Sequence, residues 1–355
     1  MKLLEWYIVK NVLAAIALVT LMLAGVELFL IFVNQLGDLG KSNYGIWQAT
    51  LFVLLKMPYE VYLFFPMASL LGCLIGLGIM ANHRELIVMR AAGMSIWQIT
   101  LAILKVAFVV IVVITCLGET MVPTLSRLAN DEKMQALNGG QALRTSQGVW
   151  LRYQNDFISI GAILPENKLT EVYQFRFDED HHLRIARHIK QIEYDKTRGW
   201  HAYGIAETVF HNTRTEAKNF PEMQWDVSLK PGILSIGSTE PDEMTLNQLH
   251  QFLRAQKSNQ QTALNYQLAY LQRLVQPLTT VVMMLLAIPF IFGPLRSSTM
   301  GSKLLAGAAV GFGFHIMNRF FGPVSQVFQW PPEVAAFGPT CLFALLGIYL
   351  MRRVR

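Results

Sequence analysis

Glu27, Lys105, Glu119, His315 and Arg319 stand inside otherwise apolar runs, with Lys56 and Glu60 close to the end of another. A charge within a bilayer is expensive, so each such residue is first a candidate for binding, pairing or lining a polar cavity. Glu27 lies deep enough to need a polar partner, whereas Lys105 is placed to snorkel and Glu119 and Arg319 to reach headgroups or each other. Covalent chemistry finds no support. The chain has no G-x-x-x-x-G-K-[ST] loop, no H-E-x-x-H, no C-x-x-C and no G-x-S-x-G. His181, His182, His188, His201 and His211 are scattered over turns and strands, where solvated side chains are the plain reading and no metal site is expected. Cys73, Cys116 and Cys341 all fall in apolar runs and imply no disulfide framework.

The elements that must carry these residues follow from charge and hydropathy. Of 355 residues, 53% are hydrophobic and 15% charged, against about 25% charged in an ordinary soluble domain. Six apolar windows, about 12–34, 51–80, 98–122, 274–293, 303–321 and 334–351, are long enough to span a bilayer, which takes about 20 helical residues. The second is broken by Pro58 and Pro66, a break that neighbouring helices can satisfy. Residues 125–265 instead hold 16 Lys/Arg and 17 Asp/Glu, so the net charge of +6 belongs to the membrane part. That distribution builds no basic face and excludes a nucleic-acid partner.

Orientation is expected from the short loops. Lys2, Lys10, Arg84, Arg90, Arg296, Lys303, Arg352, Arg353 and Arg355 share one side, and Lys41 stands alone on the other. The positive-inside rule then puts both termini in the cytoplasm and 125–265 outside it. The first apolar run is too long for a cleavable leader.

Residues 125–265 read mainly as β. Alternation around Gln154-Asn155-Asp156 predicts a hairpin, and turns are expected at Asp178–His182 and Asp195–Gly199. Strands so spaced predict a sandwich or jellyroll. Leu246, Leu249, Phe252 and Leu253 recur at helical spacing behind Thr245, a candidate N-cap. The fold class expected is thus a polytopic α-helical membrane protein with six transmembrane helices and an inserted β-jellyroll domain. Its parts are 1–124, the β domain with its following helix at 125–265, and 266–355.

Two further stretches invite function. The link 82–95 predicts a short amphipathic helix ended by Gly93. It either rests on the bilayer surface or plugs into a cytoplasmic partner. Gly307, Gly311 and Gly313, with Ala306, Ala308 and Ala309, make a small-residue face suited to close helix contact, within this chain or with a second subunit.

The order of spans, the run Arg84-Glu-Leu-Ile-Val-Met-Arg-Ala-Ala-Gly93 and the stretch Gln276-Pro-Leu…Phe290-Ile-Phe-Gly-Pro-Leu-Arg296 resemble the LptF/LptG permease family over essentially the full length. Phe-Gly-Pro-Leu-Arg followed by Phe321-Gly-Pro323 resembles its LptG branch more than its LptF branch. The resemblance implies a membrane subunit of the lipopolysaccharide export ABC transporter, in the inner membrane. Its expected partners are an LptF-like permease, two LptB-like ATPase subunits and an LptC-like periplasmic bridge protein. ATP and Mg would be bound by the ATPase, with no cofactor in this chain. Loop 82–95 would be the coupling helix, with Glu85 as its charged contact and Arg84, Leu86, Arg90 and Gly93 shaping it. Spans one and five would line the lipopolysaccharide cavity, with Gly307, Gly311 and Gly313 at the subunit interface.

Lipopolysaccharide carries phosphates, so Lys41, Arg127, Lys133 and Arg319 are expected contacts, joined by Glu27. Phe29, Phe32, Phe64, Phe65, Phe312 and Phe320 would supply apolar walls. The family tends to place a basic cluster late in span one and just after it. Here that stretch holds Ile31, Asn34 and Asp38, and Lys41 alone is basic. A mechanotransmitting or scaffold membrane protein that carries no lipid is the alternative, though such proteins usually have four spans.

Overall fold

In a computed structural model of the chain, the structure describes residues 2–137, 144–153, 155–164, 168–178, 182–195, 199–211, 214–227, 241–258, 264–292 and 299–352. Helices α1 (Lys2–Gln35), α2 (Ile46–Asn82), the short α3 (Glu85–Ala91) and α4 (Ile96–Leu137) precede six strands. After the strands come α5 (Leu246–Ser258), α6 (Leu264–Phe292), α7 (Met300–Val327) and α8 (Pro332–Arg352). Six of these, α1, α2, α4, α6, α7 and α8, are long and apolar enough to cross a membrane. Each outruns its apolar window. The largest excess is in α4, which continues to Leu137, past the boundary expected at 124.

The second span is the hub. Some 72% of its apolar window is buried within the protein, against 17% in α1 and in α7. Small residues let the neighbours approach. A Cβ at Gly72 would lie 2.5 Å from Ile16 Cα, and one at Gly76 would lie 3.0 Å from Val12 Cα, so α1 crosses α2 with backbones nearly touching. On the other flank, a Cβ at Gly307 would meet Leu74 Cδ1 at 2.0 Å and one at Gly311 would meet Met67 Cγ at 3.0 Å. Those two glycines therefore serve packing of α7 on α2 of the same chain. Gly313 faces open space.

Proline breaks are repaired as lipid demands. Pro66 has no N–H for the carbonyl one turn earlier, Tyr62 O, and Gln276 Nε2 of α6 donates to that oxygen at 2.8 Å. Ser69 Oγ donates to Pro66 O at 2.7 Å.

The strands β1 (Arg144–Tyr153), β2 (Asp156–Leu164), β3 (Lys168–Phe177), β4 (Leu183–Asp195), β5 (Gly199–Phe210) and β6 (Thr215–Gln224) form one antiparallel sheet in sequence order. Strands pair on either side of the expected hairpin, β1 with β2, and of both expected turns, β3 with β4 and β4 with β5; residues 154, 179–181 and 196–198 of those turns lie outside the described residues. Among the described residues the strands follow as a meander, neighbour beside neighbour. One face carries a row of cross-strand partners, Ile160, Val172, Ile189 and Ile205, all buried.

Farther along the same face the row turns polar. Asp156 accepts two hydrogen bonds from Arg176, each 2.7 Å, and Glu207 accepts one from Arg187 at 2.6 Å. Asp226, just past β6, accepts from Arg176 Nη2 at 2.6 Å, and Trp225 Nε1 donates to Gln174 at 3.1 Å. Burial is the largest single influence on the Asp226 carboxyl and would raise it, but the hydrogen bonds and charges of Arg176, Arg187 and Gln174 together outweigh it and hold the group below the usual carboxylate range. The segment 225–227 is thereby fastened across the sheet, with Trp225 and Val227 in its core.

Candidate functional site

The 82–95 link folds as expected and shows how seven residues can hold a helix. Arg84 adopts a left-handed backbone (φ 61°) that reverses the chain after α2, and its carbonyl accepts from Ile87 N and Val88 N, each at 3.1 Å. At the far end Met94 N donates to Met89 O and Gly93 N to Arg90 O, each 3.0 Å, with Gly93 at φ +94°. This is a Schellman stop, which needs a residue able to take positive φ.

Leu86 and Met89 are buried in the main core of the spans, while Ile87, Val88 and Arg90 are exposed. The helix thus has two apolar faces, one anchored and one on display. Glu85 Oε1 lies 3.8 Å from His83 Nδ1, and Oε2 is shielded from solvent without a hydrogen-bond partner.

At the opposite, β-domain end, α1, α2 and α7 bring the predicted ionisable residues together. Glu60 lies within electrostatic reach of Glu27, Lys56 and Arg319, and His315 within reach of Arg319 and Glu27. Glu27 and His315 are half-buried and Arg319 is exposed. The ionisable groups within electrostatic reach of Glu27 therefore stand on spans two and five. Around this cluster Phe29, Phe312 and Phe320 are exposed and Phe32 is half-buried. Phe65 and Phe64 are both 4% exposed. Phe65 packs in the main core, so it forms no cavity wall in the isolated chain.

Three of the expected basic contacts lie near the β-domain ends of α1 and α4: Lys41 in the connection after α1, and Arg127 and Lys133 on α4. Lys41 and Lys133 both reach Asp38, at 2.6 and 2.9 Å. Lys133 also donates to Gln35 at 2.6 Å and lies 5.0 Å above the Phe52 ring. Asp38, one of the departures from the family's basic pattern, neutralises part of this patch. Arg127 differs: its Nε and Nη2 are shielded from solvent and have no hydrogen-bond partner.

Sequence reasoning missed Arg273, which it left just outside span four. It lies well inside α6 and is 7% exposed. Its Nε is 2.9 Å from Glu119 Oε1, its Nη atoms donate to Met244 O and Gly118 O, and it sits over the Tyr62 ring at 5.3 Å. Glu119 in turn accepts from Leu246 N at 3.0 Å. Glu119 is thus paired with Arg273 rather than reaching for headgroups or Arg319. Nearby, Lys56 pairs with buried Glu243, which also accepts from Asn130 at 3.4 Å. The segment returning from the sheet is in this way pinned to α2, α4 and α6. The signal available was one of composition: Arg273 is the single charged residue in Leu264–Phe292. Lys105, expected to snorkel, pairs with Glu5 of α1.

Among the described residues no group of three or more His, Cys, Asp or Glu is placed to hold a metal ion.

The family described as "Lipopolysaccharide export system permease LptF/LptG" matches residues 6–353. The chain is 33% identical over 352 residues to the lipopolysaccharide export system permease protein LptG of Escherichia coli K12, covering 99% of this chain and 98% of that protein. It is 33% identical over 353 residues to the protein of the same name from Haemophilus influenzae, covering 99% of each. Both relatives carry the name of the branch to which the Phe-Gly-Pro runs pointed. A match of this extent, on six spanning helices interrupted by one β domain, places the chain in a single group: it belongs to the LptF/LptG family of lipopolysaccharide export system permeases.

Proposed function

We propose that the chain is a multi-pass inner-membrane permease subunit that extracts lipopolysaccharide from the membrane and passes it upward for export to the outer membrane. The observation that carries this reading is the surface of spans one and five. Those are the least buried spans alongside hub α2, and they expose Phe29, Phe312 and Phe320 around Glu27, His315 and Arg319. Such a wall, apolar with a few charges at its outer end, suits an amphiphile with several acyl chains and phosphates. The expected complement is an LptF-like permease facing this wall, so that two such surfaces enclose the cargo.

The chain performs no covalent step in this proposal. ATP and Mg belong to two LptB-like ATPase subunits that dock on α3. Both termini and α3 then face the cytoplasm, a direction that the nine-to-one distribution of loop cations supports. The β domain faces the periplasm and hands the lipid to an LptC-like bridge. Support for the α3 contact comes from its displayed face and from Glu85. A shielded carboxylate oxygen without a donor gains when its side chain swings out to meet one.

A shape-transmitting scaffold is the second reading, favoured by the links between the β-domain return and the spans: Lys56 with Glu243, Arg273 with Met244 O, and Leu246 N with Glu119. Affinity purification of the tagged chain tests the choice of complex. The expected result is recovery of an ATPase and a second six-span permease in a ratio of one to two to one. Recovery of the chain alone, or ATP hydrolysis by it alone, would overturn the proposal.

A further inference from the structure

The connection from α1 to α2 is folded tightly and tied to α4. Gly40 N donates to Tyr44 O, Tyr44 N to Lys41 O and Asn43 N to Ala136 O, each at 3.0 Å, and Tyr44 is buried. Two cations meet there. Lys133 of α4 donates to Gln35 Oε1 at 2.6 Å and stands over the rings of Phe52 and Tyr44, at 5.0 and 5.7 Å. Lys41 comes from the connection itself, and its side chain is 61% exposed.

Asp38 lies between them. Its Oδ1 is 2.6 Å from Lys41 Nζ and its Oδ2 is 2.9 Å from Lys133 Nζ. One oxygen to each ammonium group is how a phosphate would bridge the same pair. Neither cation depends on the carboxylate for its place. Gln35 and two ring faces hold Lys133, and backbone bonds hold the turn that carries Lys41. The Asp38 side chain is 29% exposed, so it can withdraw into water.

We propose that Asp38 is a specificity-determining residue, an internal anion that an incoming phosphate must displace from Lys41 and Lys133. This rests on the export reading and deepens it. Asp38 lies six residues past Phe32, roughly 9 Å at 1.5 Å per residue, so a phosphate at the lysines leaves its acyl chains on the exposed wall. Tethering gives Asp38 an effective concentration on the order of millimolar or above. A glycerophospholipid offers a phosphodiester with one negative charge, the same as the carboxylate, and gains little by exchange. A phosphate monoester carries about −1.5 to −2 at neutral pH and three acceptor oxygens, so it gains more from two ammonium groups. Ordinary bilayer lipids are thereby refused and a phosphate monoester admitted.

The test measures lipid retention on the full-length chain with its co-purifying partners, without ATP, by native mass spectrometry. Lipid A bearing two phosphate monoesters, the lipid end of lipopolysaccharide, is offered together with phosphatidylglycerol. The parent should prefer lipid A. Asp38→Asn should cut that preference about tenfold, through increased retention of phosphatidylglycerol, and Asp38→Glu should keep it. The ratio is the readout because a loss of fold lowers retention of both lipids together. Comparing each lipid with itself between variants also cancels the acyl-chain contacts. An unchanged preference in Asp38→Asn, a fall that comes from lost lipid A, or the same fall in Asp38→Glu would overturn the proposal and leave the export reading standing. A parent complex that retains no lipid A would overturn both.

Discussion

Glu85→Lys is expected to lower recovery of the ATPase with the tagged chain by about tenfold or more, while the chain still inserts and keeps its fold. The size follows from converting a charge-assisted contact into a like-charge clash, which costs a few kcal/mol at a desolvated interface. Folding should survive because Leu86 and Met89, not Glu85, anchor α3 in the core. Reversed charge also breaks no close ion pair, since the contact recorded for Glu85 is His83 Nδ1 at 3.8 Å. Glu85→Ala should give a smaller loss in the same direction. The check is quantitative pull-down from membranes with insertion verified by protease accessibility. Normal ATPase recovery from Glu85→Lys would count decisively against α3 as the docking element.

The second large effect concerns stability. Arg273→Ala should destabilise the protein by about 3–5 kcal/mol, the usual cost of removing one partner of a buried ion pair. The reason is what remains behind. Glu119 loses its cation, and Met244 O and Gly118 O lose their donors in a place with little water. Adding Glu119→Gln should recover part of the loss, because it removes the stranded charge. Thermal unfolding of the purified variants in detergent measures both. If Arg273→Ala unfolds like the parent, the return segment is not held by this pair.

Much of the architecture was legible in the sequence because bilayers impose strict rules. Length and apolarity located all six spans, and period two located the first four strands. The capping of α5 was legible too: Thr245 Oγ1 accepts from Gln248 N at 3.1 Å, and Gln248 returns a contact to Thr245 N at 3.0 Å. β6 left no such trace. Its residues Thr215–Gln224 are nearly all exposed, it includes Pro221, and it pairs only with β5 among the described strands. An edge strand facing water has no buried face to impose alternation, and tolerates proline.

The site was legible in residue type and less so in pairing. Glu27 and Arg319 could be named as costly, but only the packing of α1 and α7 on α2 puts them in one cluster. The glycines show the same limit. A small-residue face on α7 was evident, yet which helix it meets depends on tertiary contacts, and for Gly307 and Gly311 it is α2. Gly72 and Gly76, where α1 and α2 approach backbone to backbone, were hidden in a stretch that is apolar on every side of the helix. Lys41 and Lys133 were readable as cations but not as partners of Asp38.

The central claim is that lipopolysaccharide travels along the exposed wall of spans one and five. Photo-crosslinking from single positions in living cells tests it most directly. A photoreactive residue at 29, 312 or 320 should capture lipopolysaccharide, and one at 108, where Phe108 of α4 is 70% exposed, should capture little. Adducts at the first three positions alone are the predicted result. Silence at all three, or equal capture at 108, would contradict a cargo path along this face.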